Sequence, residues 1–387
     1  MELSICLKNG LISTCLISMT SISWQSANSC LVFSFEDILS YRVSEISAVF
    51  LAFNRIKDKF KKYELRPENK SDLVKINELL LTKFTKDLRN YAIFLNPISG
   101  KKSGEKVFEE SLKPLLDFCQ SQYQVFRIMS SEYFCSFHCE DLIGFTHLIV
   151  LGGDGTMQEL LTLVYQNDML NDFAYGILPV GSQNALSCEL SGKSLNSALL
   201  SVFKGNPQPC DLLKVSLDHR TYICTTAVSW GLVSDITDQA QHYRSFGPFR
   251  YFFTSFLRIF KPWFPFACDL KTLNWSKTDA YLTVLLGNHS AHSFYGNEVV
   301  FPYGNITDGF IDLQIVQFAN RFETIQLFAD MAKNGLHVKH KIVNYTKEKR
   351  VELVPHEHTA FNLDGEIKYG RHLIVEIMPK SVSFLRI

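Results

Sequence analysis

The stretch His147-Leu148-Ile149-Val150-Leu151-Gly152-Gly153-Asp154-Gly155-Thr156 constrains this chain more than any other. A β-run meets three glycines set around one aspartate, and Met157, Leu160, Leu161 and Val164 then recur at the spacing of a helix face. The element implied is a strand that turns sharply into a helix. The glycines let the backbone pass close to a bulky anion, and the start of the helix points unpaired N–H groups at it. Asp154 would repel such an anion unless it acts. Its expected tasks are therefore holding Mg²⁺ or accepting a proton from an attacking hydroxyl.

Two more turns of this kind follow strands. The run 91–95 leads into Asn96-Pro97-Ile98-Ser99-Gly100-Lys101-Lys102-Ser103-Gly104, whose small residues and adjacent lysines suit a triphosphate cradle. The spacing is not that of a Walker A loop, and alone this would read as a solvated loop. The run 175–178 leads into Pro179-Val180-Gly181-Ser182-Gln183-Asn184-Ala185. Three polar turns at strand ends are what one parallel sheet would gather on its carboxyl edge.

The expected organisation is threefold. Residues 1–86 read as short β-runs (30–35, 48–53), a basic stretch from Arg55 to Lys62 and a helix at 71–84. Residues 87–207 alternate strands (91–95, 123–129, 148–151, 175–178) with helical patterns, which implies a three-layer α/β nucleotide-binding domain. Residues 208–387 turn β-rich, with runs at 212–217, 221–228, 280–286, 310–316, 350–353 and 372–377, and read as an antiparallel, sandwich-like second domain. Its clearest helix pattern is 249–260.

Composition excludes several classes. Lys+Arg and Asp+Glu both number 39, so no general charge draws the chain to nucleic acid. The 10 cysteines form no secretory framework, and Cys135, His138 and Cys139 lack the second ligand pair of a structural zinc site. No signal peptide is expected in the first 25 residues, and 246–266, the nearest candidate for a membrane span, is broken by Arg250, Arg258, Lys261 and two prolines. A cytoplasmic chain with reduced thiols is the expectation.

The three turns together resemble the diacylglycerol-kinase catalytic superfamily, in particular the sphingosine and ceramide kinase branch, over about residues 90–387. The resemblance implies ATP and Mg²⁺ as cofactors, with Asp154 as catalytic base. It implies nucleotide contacts from Gly152, Gly153, Gly155, Thr156 and Glu159, from Asn96, Pro97, Ser99, Gly100 and Lys101, and from Gly181, Ser182 and Asn184. The segment Ser229-Trp230-Gly231-Leu232-Val233-Ser234-Asp235, with Asp238, looks like the family's lipid head-group stretch; Arg244 and Arg250 would face the phosphates. Asp364-Gly365-Glu366 matches a turn that relatives bring back to the nucleotide. The metal's own ligands are left open.

Two departures stand out. Gln183 occupies the second glycine of the family's Gly-Ser/Thr-Gly-Asn turn, and Thr237 sits where sphingosine kinases carry an acid toward the substrate's amine. The N-terminal unit resembles, more loosely, the pleckstrin-homology-like region ahead of the core in related kinases, whose basic stretch would meet anionic headgroups on a membrane surface. The function implied is an ATP-dependent kinase for a long-chain sphingoid base, peripherally bound to membrane. The alternatives are a ceramide or diacylglycerol kinase, an NAD kinase, and a catalytically weak lipid-binding adaptor. The 31 phenylalanines are mainly core, but the aromatic 249–260 helix would also serve as wall or lid of an acyl slot.

Overall fold

Near-continuous apolar strands between helical segments can bury both faces only in a parallel sheet covered on each side. The computed structural model describes residues 2–6, 12–17, 21–26, 29–67, 70–83, 89–100, 102–130, 132–241, 243, 254, 266–292, 298–331, 333 and 335–387. The chain opens with an antiparallel meander of β1 (Glu2–Cys6), β2 (Ile12–Ile17), β3 (Ser21–Ser26) and β4 (Ser29–Ser34). A second small sheet follows: β5 (Ile38–Val43), β6 (Ala48–Asn54) and β7 (Lys59–Leu65). Helix α1 (Lys70–Lys83) closes it by setting Leu73, Ile76 and Leu80 against Ile38, Phe50 and Leu65. This unit sits directly on the next one. Arg42 donates to the carbonyls of Asp117 and Phe118, and Asn196 donates to the carbonyl of Asp58 at 2.7 Å.

The parallel sheet consists of β8 (Asn90–Leu95), β9 (Gln122–Arg127), β10 (His147–Gly152) and β11 (Ala174–Pro179), in the order β11-β10-β8-β9. The helices are α2 (Gly104–Val107), which runs through a π-turn into α3 (Lys113–Cys119), then α4 (Asp154–Gln166), α5 (Ala185–Ser191) and α6 (Leu195–Lys204). Alternate residues of β10 face opposite ways. Leu148 and Val150 pack with Met157, Leu160 and Leu161 of α4, while Ile149 and Leu151 pack with Leu199 and Val202 of α6. Strand order reverses between β8 and β10, the switch point beside which sheets of this kind take their ligands.

The β-rich region contains β12 (Asn206–Leu217), β13 (Arg220–Cys224), β14 (Ala227–Gly231), α7 (Leu232–Gln241), β15 (Phe266–Thr272), β16 (Ser276–Gly287), β17 (Ile311–Gln317), α8 (Arg321–Met331), β18 (Val343–Glu348), β19 (Arg350–Pro355), β20 (Thr359–Leu363), β21 (Glu366–Gly370) and β22 (Leu373–Arg386). Its core gathers Val215, Trp230, Leu270, Val284, Leu313, Leu353 and Phe361. Long β22 joins the two regions: it pairs antiparallel with β12 and β19, and its end pairs in parallel with β11. One continuous sheet therefore runs through both, and β12, which begins at Asn206, already spans position 207. The run 221–228 expected as one strand is two, β13 and β14, because the amides of Thr225, Thr226 and Ala227 turn out of the ladder to Asp364. The expected helix 249–260 lies outside the described residues apart from Thr254. Among the described residues no helix is long and apolar enough to cross a membrane.

Candidate active site

The three sequence turns meet at the carboxyl edge of the parallel sheet. Asn96 is bound to its neighbour twice, its N–H donating to Leu151 O at 2.9 Å and its side-chain amide to Thr156 Oγ1 at 3.0 Å. Gly181 N–H donates to Gly152 O at 3.1 Å, tying the third turn to the second. The spacing leaves no room for side chains. A Cβ on Gly181 would stand 2.4 Å from the Cα of Gly153, and one on Gly100, which has φ +52°, would stand 2.3 Å from Val180 O. These are backbone contacts that cannot yield, so glycine is required at both positions. Asn96, Ser99, Gly100, Gly152, Gly153, Thr156, Gly181 and Asn184 thus form one cluster.

Asp154 lies at its centre, 7% exposed. Its Oδ2 accepts from Ala185 N–H and its Oδ1 from Leu186 N–H, both at 3.0 Å, so the carboxylate caps α5. Burial pushes its pKa up, and these amides oppose the shift. Each oxygen keeps a second lone pair, and the orientation is fixed by two donors.

One acid, Glu366, closes over the turn from the other half of the chain. A Cβ on Gly155 would stand 3.0 Å from Glu366 Oε1, so the β20–β21 hairpin rests on the glycine turn. Burial, reinforced by the Glu366 carboxylate, pushes Glu159 up to about 7, and Lys368 only partly offsets this. Asp364, at φ +49°, is occupied differently. It accepts from Thr225 N–H and Oγ1–H, Thr226 N–H and Ala227 N–H at 2.6–3.0 Å, holding the β13–β14 turn. Burial, together with nearby Asp154, pushes Asp364 up to about 6. Its chemistry is that of a buried clamp, and the residue of the Asp364-Gly365-Glu366 turn that reaches the glycines is Glu366.

The head-group stretch divides. Trp230 is 1% exposed inside the sandwich core, with Phe266 edge-on at 5.8 Å. Asp235 and Asp238 lie on α7. Asp238 accepts from Tyr369 Oη at 2.8 Å, while the hydroxyl of Thr237 donates to Val233 O at 2.9 Å. Lys101, Arg244 and Arg250 lie outside the described residues. Among the described residues no three His, Cys, Asp or Glu side chains gather as a metal cage.

Sequence reasoning missed two features, the way Asn184 closes its turn and the clamp made by Asp364. The left-handed residue of the third turn is Asn184, at φ +55°, whereas exposed Gln183 is not among the residues of positive φ. Its departure from glycine therefore brings no left-handed strain to the turn. Asn184 also accepts from Gly181 N–H and donates to Gly181 O, closing the turn with its side chain. The family pattern of asparagine at that position was the available signal. The Asp364 clamp and the contact of Glu366 with Gly155 join residues some 140 to 210 positions apart; local sequence holds no signal for either, and the family resemblance brings the 364–366 turn to the site without saying that Asp364 would clamp and Glu366 would reach.

With this geometry, comparison with known proteins is decisive for class. The profile of the diacylglycerol kinase catalytic domain matches residues 90–215, and that of the YegS C-terminal NAD kinase beta sandwich-like domain matches residues 226–386. The chain belongs to the diacylglycerol-kinase catalytic superfamily. Within it, the chain is 23% identical to Sphingosine kinase 1 of Arabidopsis thaliana over 68% of this chain, and that match spans 64% of the relative's length, just under two thirds. It is 25% identical to the Diacylglycerol kinase of Bacillus subtilis (strain 168), covering 76% of this chain and 97% of the relative. A solved diacylglycerol kinase structure from Bacillus anthracis str. Sterne shares the fold with a TM-score of 0.57 at 13% identity, covering 78% of this chain and 98% of that one.

Proposed function

We propose that the chain is an ATP-dependent lipid kinase acting on the primary hydroxyl of a long-chain sphingoid base. The observation that supports the phosphoryl-transfer part of this reading is the packing of Gly100 and Gly153 against Gly181, which brings three backbone-rich turns of the kind that receive phosphates to one sheet edge. Asp154 takes the hydroxyl proton, the oxygen attacks the γ-phosphorus in line, and the bond to the β-phosphate oxygen breaks to release ADP. Glycine-turn amides, with Lys101, Arg244 and Arg250, offset the developing charge. When bound with the nucleotide, Mg²⁺ supplies charge neutralisation of the phosphates. Glu159 and Glu366 would hold it, because their mutual repulsion fits a cation between them and Mg²⁺ needs only one or two carboxylates beside phosphate and water.

Asp235 is assigned to the polar head group. A ceramide or diacylglycerol acceptor is the second reading, favoured by one observation: the hydroxyl of Thr237 is engaged with the backbone, so no acid faces an amine from that position. The N-terminal unit is assigned a pleckstrin-homology-like role at a membrane surface of the cytoplasm. Its basic stretch is only partly available, since Arg55 pairs with Asp37 at 2.6 Å and Lys62 covers the Phe118 ring. The test offers γ-labelled ATP with sphingosine, ceramide, diacylglycerol and NAD, followed by extraction into organic solvent. Label in sphingosine 1-phosphate is expected; label only in a water-soluble NAD product would overturn the lipid assignment.

A further inference from the structure

Helix α8 breaks the usual pattern of a surface helix, which presents polar residues opposite its buried face. Its inner side is ordinary: Thr324 and Leu327 are buried, and Leu327 shares an apolar cluster with Leu232 and Ile236 of α7. Its outer side carries apolar side chains as well, beside exposed Gln326. Phe322 is 73% exposed and Ile325 46%, three residues apart and so on one face. Phe318, just before the helix, is 50% exposed, and Leu336, in the short turn of helix that packs beside α8, is 43% exposed.

The segment that carries this patch is basic. Residues 321–341 contain four Lys and Arg side chains, Arg321, Lys333, Lys339 and Lys341, against two acids, Glu323 and Asp330. All four bases are exposed. Lys333 pairs with Asp330 at 3.3 Å, whereas Arg321, Lys339 and Lys341 make no ion pair among the described residues. Exposed aromatic and aliphatic side chains on a segment that also carries exposed cations match a surface that is anionic at its boundary and apolar just beneath. A second copy of the chain matches poorly, because a two-fold contact would bring the same cations together.

We propose that this α8 face is the surface on which the protein docks to an anionic lipid bilayer, with Phe318, Phe322 and Ile325 entering the headgroup boundary. Because α8 and α7 share one apolar cluster, docking here holds the Asp235-bearing helix beside the membrane. That the face delivers substrate rests on the lipid-kinase reading; the docking itself does not.

The test is flotation of the full chain with vesicles of phosphatidylcholine alone or with one third phosphatidylserine, run beside the kinase assay. Binding is expected to the phosphatidylserine vesicles and to weaken with salt. Phe322→Glu with Ile325→Glu should lower the partition coefficient by about tenfold or more, and Lys339→Glu with Lys341→Glu should lower it on anionic vesicles alone. Both pairs are exposed, so unchanged thermal unfolding is the folding control. Full binding by the Phe322/Ile325 variant overturns the proposal, as does absence of binding by the parent chain. A parent dimer that the variant dissociates, with vesicle binding unchanged, also overturns it and makes a second copy the occupant. Variant-sensitive vesicle binding in a chain that phosphorylates no lipid keeps the docking face and removes the kinase reading instead.

Discussion

Around Gly153 three turns lie so close that a methyl group on Gly181 would fall 2.4 Å from backbone, whereas on α8 Phe322 is 73% exposed. The first region is specified by exclusion: backbone fills the space, and the residues that fit are dictated one by one. The second is specified by what must be added, an apolar partner absent from the fold itself. A phosphate site needs preset donors and geometry, while a lipid acceptor needs a surface and a slot whose shape many sequences satisfy. The contrast explains why the chain's class is readable and its acceptor is a proposal.

The largest effect expected concerns chemistry at the rigid region. Asp154→Asn should lower kcat by roughly 10² to 10⁴-fold, the usual contribution of a general base, with nucleotide affinity retained in a binding titration. Full activity in that variant would remove Asp154 from the mechanism. Gly181→Ala comes next, since its Cβ must push the facing backbones away from each other. It should cost about 1–3 kcal/mol of stability and weaken ATP binding, read by denaturant unfolding and by nucleotide titration. A variant as stable as the parent would mean that the turns are not in contact.

The acid pair gives a smaller, pH-dependent effect. Glu159 holds its proton to about 7 in the folded chain, against an ordinary value of 4.5. The folded state thus binds more protons between those values, and stability falls as pH rises from about 4.5 to about 7. Glu159→Gln should flatten that slope and raise Tm at pH 8 relative to the parent, with little change at pH 4; an unaltered slope would assign it to other acids such as Asp364. The smallest effect is expected for Gln183→Gly, within about 0.5–1 kcal/mol, because the position is exposed and not of positive φ. A large gain of activity there would show that the turn does need its second glycine.

What the sequence made legible tracks the same divide. β8, β10 and β11 and their following turns could be placed because each is a local pattern of an apolar run, glycines and a helix face. Asn96, Gly153 and Gly181 meet because parallel strands deliver their carboxyl ends to one edge. The split of 221–228 into two strands was hidden, since its cause is Asp364, some 138 residues later. Glu366 over Gly155 was visible only through family resemblance. Trp230 read as a head-group contact from its neighbours and lies in the core, because the period-2 alternation of β14 turns it inward.

Hydrogen–deuterium exchange of the full chain with and without Mg·ATP tests most directly whether the three turns act together. If the three turns form one nucleotide site, nucleotide should slow exchange at residues 97–104, 153–157 and 181–186 together. Protection at one turn alone, or at none of them, would contradict it.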